Sequence, residues 1–144
     1  MRNRKSGIIF SDLGGVLTTS KSIWAELNLE MGMTKGEDYQ LYNQFINHEI
    51  DYPTWANKIF NRWEMKSPEK LTKSFFYDFL KSHLNIRKGA KEFICQCKDD
   101  FYFIIISGSP DINCKLAQKE LHFDNYYSTN VFDFDVNNRL KRIK

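Results

Sequence analysis

The stretch GIIFSDLGGVLTTS, residues 7–20, decides the fold. An apolar run at residues 8–10 leads to a lone carboxylate, Asp12, and then to the pair Gly14-Gly15. A short apolar run that ends at glycines is typical of a buried β-strand followed by a loop. We therefore predict a strand at residues 7–12 that carries Asp12 to one edge of a sheet. Asp12 is then either an active-site group or a cap of the turn after the strand, and both interpretations stay open at this point.

A second apolar run, FYFIIIS at residues 101–107, predicts the partner of that strand. It is apolar on both faces, which is typical of a strand in the middle of a sheet that helices cover on both sides. The run ends at SGSPD, and Pro110 is well placed to begin a helix. Parallel strands joined through helices bring their carboxyl ends to one edge, where open α/β sheets bind ligands. We therefore expect Asp12 and Ser107 to lie side by side.

The residues between these two runs have the periodicity of helices. Helices are predicted from Ser22 to Gly32, after the capping box of Thr34 and Glu37, at Pro53, at Ser67-Pro68 and at Gly89-Ala90. The last of these helices is expected to point Phe93, Ile94 and Cys97 inward. A third strand is expected around residues 126–128, and a hairpin about Asn137-Asn138. The fold class is therefore α/β, a Rossmann-like parallel sheet formed by residues 1–19 and 86–144, with a helical cap of residues 20–85 inserted after the first strand.

The cap is rich in aromatic residues, which we interpret as its core and its packing on the sheet rather than as a ligand-binding box. They are Trp24, Tyr39, Tyr42, Phe45, Trp55, Phe60, Trp63, Phe75, Phe76 and Phe79. On the helix after Thr34, Tyr39, Tyr42 and Phe45 share one face.

Composition excludes several classes of function. The length of 144 residues fits one domain, and the net charge of +3 is mild. Basic residues concentrate at the two ends, including Arg2, Arg4 and Lys5, which is typical of solvated termini, so no nucleic-acid partner is predicted. Cys95, Cys97 and Cys114 are odd in number and lack metal-ligand spacing. No apolar segment approaches a membrane span, so we expect a cytoplasmic protein with free thiols and no membrane partner.

Two motifs together resemble a known family. IIFSDLGGVLT is similar to the first motif of the haloacid dehalogenase-like (HAD) phosphatases, apolar residues followed by D-x-D-G-T/V-L, and FIIISGSP resembles their second motif. The helical insert is similar to the small cap of the phosphoserine phosphatase-like branch. SIWAELNLEMG, the pattern Asp51-Tyr52-x-x-Trp55, KGAKEF and FDNYYSTNVF extend the resemblance over most of the chain.

The resemblance implies a role for each matching residue. Asp12 matches the nucleophile that forms an aspartyl-phosphate and also ligates Mg²⁺. Ser107 matches the hydroxyl that holds the phosphoryl group, with the backbone amides of Gly108 and Ser109 beside it. Gly14 occupies the place of a second Asp, the general acid and base, so only its backbone carbonyl remains as a metal ligand.

The sequence also departs from the family after the third strand. The family continues to a Lys and then to an acidic pair that completes the Mg²⁺ site, whereas these 144 residues end first, and Lys141 and Lys144 lie too early to replace that Lys. A Mg²⁺ site with so few ligands is expected to be weak. Loss of a general acid alone slows catalysis about 10²- to 10⁴-fold. We therefore expect a C-terminally truncated phosphatase-like protein, weak or inactive alone, that accepts a small phosphorylated metabolite.

Two alternatives remain: one part of a split phosphatase completed by another chain, and a non-catalytic module that binds a phosphorylated ligand or a protein. Without the family's later strand, the edge of residues 7–11 would expose backbone and apolar side chains. We expect a second copy of the chain, a different polypeptide or the chain's own terminal segment to cover that edge.

Overall fold

A computed structural model provides the fold, and it describes residues 5–144. Arg2 and Arg4, which belong to the predicted basic terminus, and residues 1–4 of the predicted sheet domain lie outside the described residues.

Three parallel strands form the sheet, and two of them are the predicted strand pair. Strand β1 is Gly7–Ser11, β2 is Phe101–Pro110 and β3 is Asn125–Asn130. Their order is β1-β2-β3, so β2 lies in the middle. Ser11 pairs with Ile105 and Ser107 with Ser128, which brings the three carboxyl ends to one edge. The prediction of a Rossmann-like parallel sheet is confirmed.

Six α-helices and a hairpin complete the described chain. The helices are α1 Ile23–Glu30, α2 Lys35–Ile46, α3 Tyr52–Lys66, α4 Lys73–Ser82, α5 Ala90–Cys97 and α6 Asp111–Leu121. The hairpin pairs β4, Phe132–Phe134, with β5, Leu140–Ile143. A π-helical turn, Leu13–Leu17, follows β1, and a 3₁₀ turn, Pro68–Lys70, precedes α4.

Capping residues set where the cap helices begin. In the capping box of α2, the Thr34 hydroxyl accepts from the Glu37 amide at 3.2 Å, and the Glu37 carboxylate accepts from the Thr34 amide at 2.8 Å. The predicted helix start at Ser67-Pro68 is wrong. Those residues form only the 3₁₀ turn, and α4 begins after Thr72, whose hydroxyl accepts the Phe75 amide at 3.2 Å. A threonine hydroxyl that satisfies a free helix amide makes the stronger start.

Helices α5 and α6 cover one face of the sheet. The core on that side includes Phe103 and Ile105 from β2 and Leu121 from α6. Ile94 of α5 is buried as expected, but the expectation that Phe93 also points inward is wrong, because 54% of it is exposed. Because α5 is short, only a narrow stripe of its side chains packs against the sheet.

The cap has its own core, which continues into the hairpin. Trp63 and Phe76 are fully buried at its centre, and Phe132 and Leu140 of the hairpin pack in the same cluster. The Leu140 amide donates to the Leu71 carbonyl at 2.8 Å. The division into residues 20–85 and the rest stays a prediction, since the hairpin packs with the cap.

The opposite face of the sheet has no cover within residues 5–144, so the predicted coverage of β2 on both faces is not seen there. We call it the bare face: Ile8, Phe10, Tyr102, Ile106 and Tyr127, all exposed by 47% or more. The outer edge of β1 is also unpaired in the described chain, where β1 pairs with β2 alone. The chain's last described strand, β5, pairs with β4 and not with β1.

Candidate functional site

The carboxyl ends of β1 and β2 form one cavity of about 200 Å³, which we call the strand-end cavity. Asp12 lines it together with Ser107, Gly108 and Ser109. The expectation that these two strand ends lie side by side is therefore met. The roles that the family resemblance implies for them stay predictions.

Asp12 is exposed and makes one contact with the turn that follows it. Its Oδ1 accepts a hydrogen bond from the Leu13 amide at 2.6 Å. Asp12 thus caps the turn, as one of its two interpretations predicts. The bond occupies one carboxylate oxygen, so capping does not prevent the other from reacting with a ligand in the cavity.

Gly14 lies in a tight turn, where the backbone of Lys21 comes close to it. A Cβ atom at this position would lie 3.1 Å from the Lys21 carbonyl oxygen, closer than most such contacts. The next residue, Gly15, has a φ of +72°, a conformation that favours glycine. Its amide donates to the Ser20 carbonyl at 2.8 Å. The backbone therefore leaves little room for the acid that the family has at position 14.

The SGSP segment is extended rather than a loop, so the predicted end of the strand at Ser107 is wrong. β2 runs on to Pro110, which pairs with Asn130 after an irregularity in register. The Ser107 hydroxyl accepts from the Ser109 amide at 3.1 Å and donates to the Ser109 hydroxyl at 3.2 Å. The Ser109 amide, expected to face an anion, is thus already hydrogen-bonded. Gly108 is exposed to the cavity.

Two side chains that sequence reasoning missed donate hydrogen bonds to the Gly108 carbonyl. It accepts from Trp24 Nε1 at 2.8 Å and from Asn130 Nδ2 at 2.6 Å. The Ser128 hydroxyl donates to the neighbouring Ser109 carbonyl at 2.6 Å. The signal for Asn130 and Ser128 was present, because a third parallel strand ends at the same edge of the sheet.

Lys21 is a further missed residue. It is one of the residues that line the strand-end cavity, and it is the cationic residue among them. Lys144 instead pairs with Asp133 at 3.0 Å on the hairpin, and Lys141 lies on β5, so neither belongs to the cavity. Because a lysine is among the residues that line the cavity with Asp12 and Ser107, the cavity is suitable for a phosphate group, with which an ammonium can pair.

Cys114 is buried next to the site and is unreactive. Its Sγ lies 3.8 Å from the Ser109 carbonyl oxygen. Burial, with a further contribution from the Asp111 carboxylate, raises the pKa of the Cys114 thiol to about 12. A thiol that stays protonated is not a nucleophile.

The donor set of the cavity does not fit Mg²⁺. No group of three or more His, Cys, Asp or Glu side chains suited to a metal occurs within residues 5–144. Asp12 is the carboxylate that lines the cavity, with Gly14 offering a backbone carbonyl. Mg²⁺ needs near-octahedral oxygen coordination, which these groups do not supply.

A larger cleft of about 520 Å³ adjoins the strand-end cavity. Six aromatic residues line it, and we call it the aromatic cleft: Trp24, Tyr39, Tyr42, Phe45, Tyr52 and Trp55. Tyr39 and Tyr42 are 66% and 52% exposed, so the interpretation of these two residues as cap core is wrong. The helix face that they share with Phe45 meets the cleft instead.

Comparisons with known proteins identify the fold. No family model matches the chain, and no curated protein matches it. Solved structures do match, and the three described below share 16–20% identity with this chain. A HAD family hydrolase from Salmonella enterica serovar Typhi has a TM-score of 0.72 at 20% identity, over 97% of this chain and 45% of that one.

Two phosphoserine phosphatases are similar in the same way. A phospho-aspartyl intermediate analogue of one has a TM-score of 0.70 at 16% identity, over 99% of this chain and 64% of that chain. The enzyme from T. onnurineus has a TM-score of 0.64 at 19% identity, over 97% and 64%.

The chain thus has the fold of these HAD-like hydrolases and phosphoserine phosphatases. It spans between 45% and 64% of the length of these three structures. Within residues 5–144, no helix combines the length and the apolar character that crossing a membrane requires.

Proposed function

We propose that this chain is a phosphatase-like scaffold that binds the phosphate group of a small phosphorylated metabolite, with weak or no hydrolytic activity of its own. The observation that carries the proposal is the shared cavity of Asp12, Lys21 and Ser107. An aspartate, a lysine and a buried serine among the residues that line one cavity suit a bound phosphate that a nucleophile could attack.

The chemistry would follow from the positions of these groups. An oxygen of Asp12 attacks phosphorus, the P–O bond to the organic group breaks, and Lys21 and Ser107 stabilise the charge on the phosphoryl oxygens. The departing oxygen needs a proton, and a water must later lose one to hydrolyse the aspartyl-phosphate. Position 14 provides no side chain for either transfer, which is expected to slow turnover about 10²- to 10⁴-fold.

Inorganic phosphate and vanadate test the binding part of this proposal. A ligand that binds only the native state raises the melting temperature in proportion to the logarithm of its concentration. We expect both anions to stabilise the chain, with weaker effects in Lys21→Met and Ser107→Ala. Asp12→Asn should strengthen anion binding, because it removes a negative charge from the cavity. Asp99→Asn, an exposed residue just before β2 at the opposite edge of the sheet, is the matched control.

Hydrolysis of para-nitrophenyl phosphate with Mg²⁺ tests the catalytic part. Wild-type protein should turn over no faster than Asp12→Asn. Clear Asp12-dependent turnover would contradict the weak activity, and a melting temperature indifferent to both anions would contradict phosphate binding.

We further propose that the bare face and the free edge of β1 bind a polypeptide segment that continues the sheet and carries the Lys and acidic motifs, as in a split phosphatase. One observation supports this. Phe10 is 59% exposed beside a strand edge that is unpaired within the described chain, and unpaired edges readily accept another strand.

Co-expression tests the segment. A polypeptide encoded nearby that carries a Lys followed by an acidic pair should co-purify with the chain and restore Mg²⁺-dependent hydrolysis. Phe10→Arg should abolish this complex, whereas Tyr77→Arg, on the exposed surface of α4, should not. A homodimer that Phe10→Arg disrupts would show instead that a second copy covers the face.

A further inference from the structure

Several of the rings that line the aromatic cleft pack against one another at different angles. Trp24 and Trp55 meet at 76° with ring centroids 5.2 Å apart, and Phe45 and Tyr52 meet at 69° with centroids 5.5 Å apart. Trp55 lies at only 38° to Phe45 and 32° to Tyr52. The lining therefore combines ring edges with ring faces, and a cation is attracted to the faces.

A carboxylate without a salt bridge lies in the same cleft. Asp38 of α2 lines it and accepts a hydrogen bond from Asn28 Nδ2 at 2.7 Å. Within residues 5–144, Asp38 makes no salt bridge, whereas its neighbour Glu37 pairs with Arg62 and Lys66. A neutral ligand would remove water from Asp38 and return no compensating charge. A cationic ligand would satisfy the carboxylate and the aromatic rings together.

The cleft and the strand-end cavity are continuous. Lys21, Trp24 and Gly108 line both of them. Trp24 also donates to the Gly108 carbonyl at 2.8 Å, so this part of the cleft wall is fixed to the phosphate-binding segment. One small molecule that extends through both can therefore place an anionic group in the strand-end cavity, which Ser107 lines, and a cationic group in the aromatic cleft, which Asp38 lines.

We propose that the aromatic cleft binds a quaternary ammonium group at the far end of a phosphomonoester whose phosphate occupies the strand-end cavity. This inference rests on the proposed function, because the same site holds the phosphate. Aromatic rings around a carboxylate favour an alkylated ammonium over a primary one, since the alkylated group loses less hydration when it enters.

A pair of ligands of equal shape tests the charge. Choline phosphate carries a quaternary nitrogen, and 3,3-dimethylbutyl phosphate has carbon in its place. Binding is measured by isothermal titration without added metal, with inorganic phosphate as the reference. We expect choline phosphate to bind about tenfold more tightly than its neutral analogue, the range of cation–π and ion-pair effects at a partly buried site. Vesicles of phosphatidylcholine, in which the phosphate is a diester, should not compete.

Variants of α2 test which residues recognise the charge. Asp38→Asn and Tyr42→Leu should each bring the affinities for the two ligands close together, while the affinity for inorganic phosphate stays unchanged. Tyr42 is 52% exposed, so its replacement leaves the fold intact, which circular dichroism checks. Tyr77→Leu is the matched control, because Tyr77 is similarly exposed on α4, outside the cleft.

The outcomes separate this inference from the proposed function. Equal binding of the two ligands, with phosphate still bound, would overturn the ammonium site and leave phosphate binding intact. Choline phosphate binding that Lys21→Met and Ser107→Ala leave unchanged would overturn the shared site, as would competition by the vesicles. Absence of binding by phosphate and both esters would overturn the inference and the proposed function together.

Discussion

The interior of the cap and the bare face of the sheet are both rich in large apolar residues. Those of the cap interior are buried, whereas those of the bare face are exposed. Trp63 and Phe76 are fully buried in the cap, with ring centroids 5.6 Å apart. On the sheet, Phe10 and Tyr127 are 59% and 58% exposed. The cap core is thus complete once the hairpin packs on it, whereas the sheet is covered only on the side of α5 and α6.

Polar groups show the same difference. Deep in the cap, Asn28 accepts from Trp63 Nε1 at 2.9 Å and donates to Asp38 at 2.7 Å, so a fully buried amide is satisfied. The edge of β1, by contrast, keeps its backbone groups unpaired within the described chain. Stability is therefore expected to reside in the cap and in the covered side of the sheet, and the bare face is available for binding.

Replacing Trp63 with Ala tests the cap most severely. Trp63 is fully buried and contacts the rings of Trp24, Phe76 and Phe132, so the variant leaves a large cavity. Such replacements cost about 3–5 kcal/mol in the free energy of unfolding. Urea unfolding followed by circular dichroism measures this, and a loss below about 1 kcal/mol would contradict a tightly packed cap.

Asn28→Leu breaks the buried hydrogen bonds of the cap while retaining side-chain volume. The Trp63 indole N–H would then have no partner, which costs about 1–3 kcal/mol. Asn57→Leu on the exposed surface of α3 is the control, and its effect should stay within about 0.5 kcal/mol. Equal losses in the two variants would show that the Asn28 bonds contribute nothing specific.

Phe10→Ala on the bare face should barely change stability. The side chain is exposed in the isolated chain, so the expected change in the free energy of unfolding is within about 0.5 kcal/mol. Binding of a dye that reports exposed apolar surface should decrease. A loss as large as that of Trp63→Ala would mean that the face is already covered, for example by a second copy of the chain.

Sequence patterns predicted the frame of the molecule because local rules determine it. The apolar runs at β1 and β2 and the capping residue Thr34 act on their own neighbours, and the structure places these elements as expected. The neighbouring positions of Asp12 and Ser107 followed from the rule for parallel strands.

What the patterns missed depends on distant parts of the chain. Periodicity showed that Tyr39 and Tyr42 share a face of α2, but not that this face meets a cleft rather than the core. The prediction that Phe93 points inward is wrong for the same reason, because periodicity does not show how far the core extends around α5. The place of Lys21 in the strand-end cavity depends on the path of the turn after Gly15, which no periodic pattern encodes.

The smallest effect on stability is expected at Glu37 of α2, which forms ion pairs with Arg62 and Lys66 of α3 at the surface of the cap. The hydrogen bond from the Thr34 amide, followed by the interaction with Lys66, lowers the pKa of Glu37 from 4.5 to about 2. A carboxylate with a lowered pKa in the folded state stabilises that state above its unfolded pKa and loses this contribution as the pH falls. The affected window therefore lies between about pH 4.5 and pH 2.

Glu37→Gln should unfold at a lower urea concentration than the wild type at pH 7, and the gap between the two midpoints should close as the pH falls through that window. The gap should be small, because exposed ion pairs contribute little and are screened by solvent. Glu64→Gln on the exposed surface of α3 is the control, and its unfolding midpoint at pH 7 should stay close to that of the wild type. A difference between the midpoints of Glu37→Gln and the wild type that persists unchanged at pH 2 would mean that Glu37 stabilises the fold through packing and not through its charge. The surface of the cap would then be stabilised by packing, as its interior is.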